Sequence, residues 1–134
     1  MKKILLVIMA GMLSGCALVD AYLMTKYDPN EYLIIAEIRT QAEANKTTCN
    51  DSDASKINAQ MLEQRTQLMI TYSEHIPRND NVTKAAVELH AMALGLYDQY
   101  RKTPEVSKAF CQIKFDTISR SAEKIQKIIG SKPR

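Results

Sequence analysis

The residues of this 134-residue chain whose chemistry is most informative are its three cysteines, Cys16, Cys49 and Cys111. A cysteine sulfur can carry a lipid, join a disulfide or bind a soft metal ion, and its surroundings decide among these outcomes. Cys16 ends an apolar stretch, Cys49 lies in a polar stretch, and Cys111 lies in helix-forming sequence. Because soft ligands near them are too few to complete a coordination shell, we expect no metal site.

The N-terminus has the pattern of an export signal. Two lysines precede an apolar run over residues 4–13, about half of the roughly 20 residues that a membrane-spanning helix needs. The letters "LSGC" (residues 13–16) resemble the lipobox of bacterial lipoproteins, which reads Leu, a small residue, Gly or Ala, then Cys. This resemblance implies that residues 1–15 are a signal peptide that is removed, and that Cys16 carries a diacylglycerol and a fatty chain such as palmitate. The alternative is an uncleaved anchor helix over residues 4–19.

The residue after the lipobox bears on localisation. In these lipoproteins Asp after the lipidated Cys favours the inner membrane, so Ala17 implies the periplasmic face of the outer membrane. Residues 16–27 would join the lipid to the domain, and this segment is more apolar than a typical flexible tether. We expect it either to lie on the lipid surface as a short helix or to pack on the domain.

Charge and side-chain chemistry exclude several function classes. The net charge of +3 falls to +1 once the two leading lysines are removed, too little for a nucleic-acid partner. His75 and His90 fall on different predicted helices and lack a carboxylate three or four residues away. Because the chain has no Gly-rich phosphate loop and no serine nucleophile motif, we expect neither catalysis nor a cofactor.

The rest of the chain predicts four helices in one domain over residues 28–130, followed by a tail over residues 131–134. Asp28, Pro29 and Glu31 predict the first helix start, with Glu31 reaching back as in a capping box. That helix ends near residue 45, and a polar loop follows to residue 53. The second helix runs from residue 52 or 53 to Pro77, the third starts near residue 82, and the fourth starts at Thr103 and ends at residue 130.

Apolar residues at spacings of three and four predict the sides of these helices that face the core. In chain order they are Tyr32, Ile35, Ile38, Arg39 and Ala42; Ile57, Met61, Leu68, Met69, Tyr72 and Ile76; Val82, Ala85, Ala86, Leu89, Met92, Ala93, Leu96 and Tyr100; and Val106, Phe110, Ile113, Ile118, Ile125 and Ile129. Met61, Met69 and Met92 could instead line an adaptable groove. Tyr97 precedes Tyr100 by three, so we expect one of them to leave the stripe, and both are candidate partner contacts.

Four helices with short connections predict an all-α, up-down-up-down four-helix bundle. In that topology the end of the first helix and the start of the fourth lie at the same end, so Cys49 and Cys111 can meet. An oxidising compartment favours a disulfide between them, with two free thiols as the alternative.

The chain also resembles the helical pilotins of type II secretion systems in two short stretches, "CNDSD" (residues 49–53) and "LYDQYRKTPEVSKAFC" (residues 96–111). This resemblance implies a small outer-membrane lipoprotein whose bundle binds a short helix of a secretin. We therefore expect a membrane-anchored adaptor or assembly factor for an envelope protein. The alternatives are a phage- or plasmid-type lipoprotein that interferes with infection, lysis or receptor function, and a periplasmic enzyme or small-ligand carrier.

Overall fold

The computed structural model of the chain describes residues 25–103 and 105–134, so Cys16 and the predicted signal peptide lie outside the described residues. The described part is all-α. Its elements are α1 (Pro29–Asn45), a 3-10 turn (Lys46–Thr48), α2 (Ser52–Glu74), α3 (Asp80–Lys102) and α4 (Lys108–Gly130). The four predicted helices are therefore present.

The four helices form an antiparallel bundle in which α1 packs mainly on α4 and α2 mainly on α3. Side-chain contacts fix the register: Glu37 pairs with Arg65 between α1 and α2 at 3.0 Å, and Arg39 donates to Gln126 between α1 and α4 at 3.1 Å. The Cys49–Cys111 disulfide joins the chain just after α1 to the first turn of α4, with Cα atoms 5.8 Å apart. The predicted bundle and its crosslink are confirmed.

The helix starts follow local capping chemistry. Asp28 accepts hydrogen bonds from the backbone N–H groups of Asn30 and Glu31, which confirms it as the N-cap of α1. The predicted start of the fourth helix at Thr103 is wrong, because the backbone N–H of Thr103 donates to Gln99 and closes α3 instead. The helix begins four residues after Pro104, where the Ser107 hydroxyl caps α4 by accepting from the N–H of Phe110.

The core of α3 follows the predicted stripe, with one exception: Met92 is exposed. On α1, Ile35, Ile38 and Ala42 are buried as predicted, while Arg39 lies at the surface and reaches across to α4. The regular spacing of apolar residues in these two helices coincides with the side that the bundle buries.

The predicted core side of α2 is wrong for three of its six residues. Ile57, Met61 and Leu68 are 58%, 48% and 44% exposed. The buried side consists instead of small and polar residues with three larger apolar ones: Ser55, Ala59, Leu62, Thr66, Met69, Ile70 and Ser73.

The physical reason is that α2 packs closely on α3, and small residues allow this approach while local hydrogen bonds satisfy their hydroxyl groups. The Ser55 hydroxyl donates to the carbonyl of Thr48, and the Thr66 hydroxyl donates to the carbonyl of Glu63. Burial of these polar residues therefore leaves Ile57, Met61 and Leu68 on the outside of the helix.

In the first half of α4, the side that faces the core differs from the predicted side. Phe110 is 36% and Ile113 64% exposed, and the core takes Cys111 and Phe115 instead. The disulfide places Cys111 inside the bundle, and the helical repeat then places Phe115 rather than Ile113 on the same side. Val106 precedes α4 and packs partly buried against the core. Among the described helices, none is long and apolar enough to span a bilayer.

Candidate binding surface

The disulfide end of the bundle is a buried cluster in which Tyr100 takes part. Cys111 is fully buried, and its sulfur lies 3.7 Å from the hydroxyl of Ser55. The Tyr100 hydroxyl also hydrogen bonds to Ser55, and burial raises the pKa of the Tyr100 phenol against the effect of that bond. Because Tyr100 is 5% exposed, this side chain belongs to the core and offers almost no contact area to a partner.

Tyr97 is the tyrosine that leaves the α3 stripe. It is half-buried against the core, and the Arg101 guanidinium carbon lies 5.7 Å from the centre of its ring. This geometry fits a cation–π contact across one turn of the helix. Tyr97 therefore keeps an accessible edge and stays a candidate contact.

The opposite end of the bundle is closed by four polar side chains, here named the polar lock: Glu31, Ser73, Asn79 and Lys132. Lys132 donates to Glu31 at 2.8 Å and to the side-chain oxygen of Asn79 at 2.7 Å. Glu31 also accepts from the Ser73 hydroxyl at 3.0 Å and from the Asn79 amide nitrogen. All four residues are buried, so the charges of Glu31 and Lys132 are balanced and hydrogen bonded inside the protein.

The polar lock differs from what the sequence predicted. The Glu31 carboxylate points to Lys132, Ser73 and Asn79 rather than back to the N-cap. Lys132 belongs to the tail over residues 131–134, and this tail packs on the domain because the N–H of Tyr27 also donates to the carbonyl of Pro133 at 2.8 Å. Periodicity carried no signal for this cluster, because its members come from two helices, a turn and the tail.

The large apolar residues that α2 leaves exposed are here named the outer stripe: Ile57, Met61 and Leu68. Their spacings of four and seven place them on one side of the helix. The exposed Gln64 separates Met61 from Leu68 along the helix. Leu33 of α1 is also exposed, and the Glu37–Arg65 pair sets it at the height of Leu68. A shallow groove of about 460 Å³ runs along α1, between Leu33 and Ala44, and Arg65 of α2 is also part of its lining.

A second concavity lies where the outer stripe meets the end of α2. It has a volume of about 530 Å³, and its lining combines the apolar Leu68, Tyr72, Ile76 and Pro77 with the polar Asp28, Thr71 and His75. The hydroxyl of Tyr72 donates to the Asp28 carboxylate at 3.1 Å, which fixes the ring against the start of α1.

The two histidines do not come together. His75 is exposed, and its Nδ1 lies 2.7 Å from the carbonyl oxygen of Thr71. His90 is half-buried between α2 and α3, with Nδ1 3.0 Å from the Thr66 hydroxyl and Nε2 3.9 Å from Glu63. Within residues 25–103 and 105–134, no three His, Cys, Asp or Glu side chains are placed to hold a metal ion.

The methionines do not share a groove. Met69 is buried in the core, whereas Met61 belongs to the outer stripe. Met92 lies between α3 and α4, where its sulfur is 3.6 Å from the Ser121 hydroxyl. The adaptable surface that the three methionines could have formed together is therefore absent.

A network of charged side chains joins α1 to α4 near the disulfide. Lys46 lies 2.7 Å from Glu43 and 3.0 Å from Asp116. The hydrogen bond from Lys46 lowers the pKa of both carboxyl groups, and the bonds to Glu43 and Asp116 raise the pKa of Lys46. These residues lie at the surface and strengthen the α1–α4 contact rather than forming a reactive site.

The described surface offers exposed apolar side chains and concave shape for binding. No protein-family model, curated protein sequence or solved structure matches this chain.

Proposed function

We propose that this protein is a lipid-anchored adaptor on the periplasmic face of the outer membrane, where its outer stripe binds a helix of an envelope protein. The pattern of the N-terminus supports the anchor and the compartment. The resemblance to pilotins supports the partner class, a short amphipathic helix. The observation that carries the proposal is the exposure of Ile57, Met61 and Leu68 on one side of α2.

Single exposed apolar residues are common on protein surfaces and need no explanation. The outer stripe differs because three large apolar side chains are exposed on the same side of one helix. A helix that lies along such a surface contacts it through residues at i, i+3 or i+4, and i+7. The spacing of the outer stripe is complementary to that pattern.

The residues that flank the outer stripe define the chemistry of the partner. Gln60, Gln64 and Gln67 are exposed and uncharged, Arg65 is paired with Glu37, and the exposed Asp53 and Lys56 place charge only at the Ile57 end. A partner helix with an apolar side and uncharged polar edges fits this surface. Recognition would then depend on apolar contact rather than on charge pairing, so its affinity would change little with salt.

Affinity capture from detergent-solubilised envelope tests the adaptor function. The parent should retain an envelope protein, and the variant Ile57→Arg/Met61→Arg should lose it, because two charges would enter the contact. Ile113→Arg is the matched control, since Ile113 is an equally exposed apolar residue on α4. The proposal fails if the parent retains no envelope protein above background, or if the outer-stripe variant retains as much as the control.

The anchor has its own test. Mass spectrometry of the protein from membranes should show a chain that begins at a lipidated Cys16. Cys16→Ala should leave either an uncleaved precursor or a protein released from the membrane. Normal fractionation of Cys16→Ala with the outer membrane would contradict the anchor.

A further inference from the structure

The charge of the described helices is distributed unevenly. Helix α4 carries five basic and two acidic residues. The other three helices together carry six basic and nine acidic residues. The excess of positive charge among the four helices is therefore confined to α4.

The basic residues of α4 share its outer side with large apolar residues, and this side is here named the α4 face. Its exposed apolar members are Phe110, Ile113 and Ile128. Its exposed basic members are Lys114, Arg120, Lys124 and Lys127. At 3.6 residues per turn these residues lie within an arc of about 140° around the helix axis, opposite the buried side. Ile113 is 64% exposed, more than any residue of the outer stripe.

The two carboxylates of α4 lie at the edge of the α4 face that borders α1. Asp116 lies 3.0 Å from Lys46, which follows α1 in the chain. The hydrogen bond from Lys127 lowers the pKa of Glu123, and the charge of Arg39 on α1 lowers it further. The negative charge of α4 is therefore turned toward α1.

Two lysines keep the α4 face positive. Arg120 and Lys127 are balanced by ion pairs of 2.7 and 2.8 Å with the two carboxylates. Lys114 and Lys124 pair with no carboxylate in the part of the chain that the structure describes. The Lys114 amine lies 5.3 Å from the centre of the Phe110 ring, so a cation and an exposed aromatic side chain stand side by side.

This combination of side chains fits an anionic lipid surface. Basic residues attract lipid phosphates, and neighbouring apolar residues enter the headgroup region. An acidic protein or a nucleic acid would engage the cations and leave the exposed apolar residues in water. Phe110 and Ile128 are 18 positions apart, or about 27 Å along the axis, so both ends of α4 can touch a flat surface at once.

We propose that the α4 face lies on an anionic lipid surface, with its apolar side chains in the headgroup region and its lysines beside lipid phosphates. Helix α4 packs on α1 and α3 and lies diagonally across the bundle from α2. The outer stripe on α2 then stays away from the lipid and remains accessible to a partner. The inference rests on α4 alone, so it depends neither on the adaptor function nor on the modification of Cys16.

Photo-crosslinking in the full chain tests this orientation. The chain is reconstituted with vesicles of phosphatidylcholine and phosphatidylglycerol, and a photoreactive phenylalanine analogue replaces Phe110. This position should crosslink to lipid, as identified by mass spectrometry. The same analogue in place of Ile57 is the matched control, because Ile57 is an exposed apolar residue on α2. Position 57 should capture several-fold less lipid.

The role of charge has its own controls. The lipid crosslink at position 110 should fall several-fold in vesicles of phosphatidylcholine alone, and also in about 1 M salt, which screens charges beyond about 3 Å. Lys114→Gln/Lys124→Gln should lower it several-fold in the anionic vesicles. Lys56→Gln/Lys84→Gln removes the same charge from exposed positions on α2 and α3 and should leave it unchanged.

The inference is overturned if position 110 crosslinks to a second copy of the chain or to nothing, or if in intact cells it captures a protein instead of lipid. It is also overturned if position 57 captures as much lipid, or if the two double-lysine variants lower the crosslink equally. A chain that captures no envelope protein but shows the lipid crosslink at position 110 would refute the adaptor function and keep the lipid contact of α4.

Discussion

Lys132 Nζ lies 2.8 Å from Glu31 Oε2, and this contact joins two residues that are 101 positions apart in the chain. Both side chains are buried, with 7% and 0% exposure. The contact holds the end of the chain against the first turn of α1, and Asn79 adds the turn between α2 and α3 through the same Lys132 amine. The Cys49–Cys111 bridge joins the opposite end of the bundle, so long-range links close both ends.

The polar lock predicts a strong effect of removing one charge. Lys132→Met leaves the Glu31 carboxylate buried without its cation, and breaking a buried pair in this way costs about 3–5 kcal/mol. We expect the free energy of unfolding in urea to fall by that amount. If the free energy of unfolding of Lys132→Met lies within about 0.5 kcal/mol of the parent's, the pair is not buried in solution.

The matched control is the double variant Glu31→Met/Lys132→Met. It removes both charges and replaces them by apolar side chains of similar length, so no unpaired charge remains inside. We expect it to be more stable than Lys132→Met, although Ser73 and Asn79 still lose hydrogen-bond partners. If the double variant is less stable than Lys132→Met, the hydrogen bonds that Glu31 accepts contribute more to stability than its unpaired charge costs.

The disulfide predicts a redox-dependent stability. Its two cysteines are 62 residues apart, and the chain-entropy relation for a loop of that length gives about 4 kcal/mol. Cys49→Ser should lower the free energy of unfolding by about this amount under oxidising conditions. Cys49→Ser/Cys111→Ser should cost little more, because the first change already opens the loop. If a reducing agent leaves the parent's Tm unchanged, the bridge contributes nothing to stability.

A pair of neighbouring residues on α4 gives a direct test of its buried side. Phe115 is fully buried and Ile113 is 64% exposed. Phe115→Ala should lower the free energy of unfolding by about 3–5 kcal/mol, because it leaves a cavity in the core. Ile113→Ala should change it by no more than about 0.5 kcal/mol, as surface substitutions usually do. If Ile113→Ala lowered the free energy of unfolding more than Phe115→Ala, the buried side of α4 would be the one predicted from the apolar spacing.

The architecture could be predicted from the sequence because several local signals agree. Capping at Asp28, the apolar spacing of α3 and the short connections all indicated antiparallel helices, and that topology placed Cys49 beside Cys111 without using either residue. The crosslink was therefore a consequence of helix order, which is a coarse property that small errors in helix bounds do not change.

The outer stripe could not be predicted, since apolar spacing gives the side of a helix that is apolar and not the side that is buried. On α2 these sides differ, because Ser55 and Thr66 satisfy their hydroxyl groups locally and allow close contact with α3. The polar lock was missed for another reason. Glu31 was assigned to a capping box, and its pairing with Lys132 depends on how the tail folds onto the start of α1.

The charged network between α1 and α4 predicts a stability change in acid. The hydrogen bond from Lys46 lowers the pKa of Asp116 below its usual value of 3.8, so the folded state favours the ionised carboxylate. A group with a depressed pKa contributes stability above its unfolded pKa, and that stability is lost as the pH falls through the folded pKa. Asp116→Asn should therefore have a lower Tm than the parent from pH 7 down to about pH 4.5, and the difference should shrink below about pH 4.

Lys46→Gln is the companion variant. It removes the cation of the Lys46–Asp116 ion pair and also the ion pair with Glu43. Its Tm difference from the parent should shrink over the same acidic range, since the carboxyl groups of both Glu43 and Asp116 have lowered pKa values. Added salt at neutral pH should also reduce both differences, because these residues lie at the surface and ions screen their attraction. A Tm difference that stays constant from pH 7 to pH 2.5 would show that Asp116 acts through packing rather than through its charge.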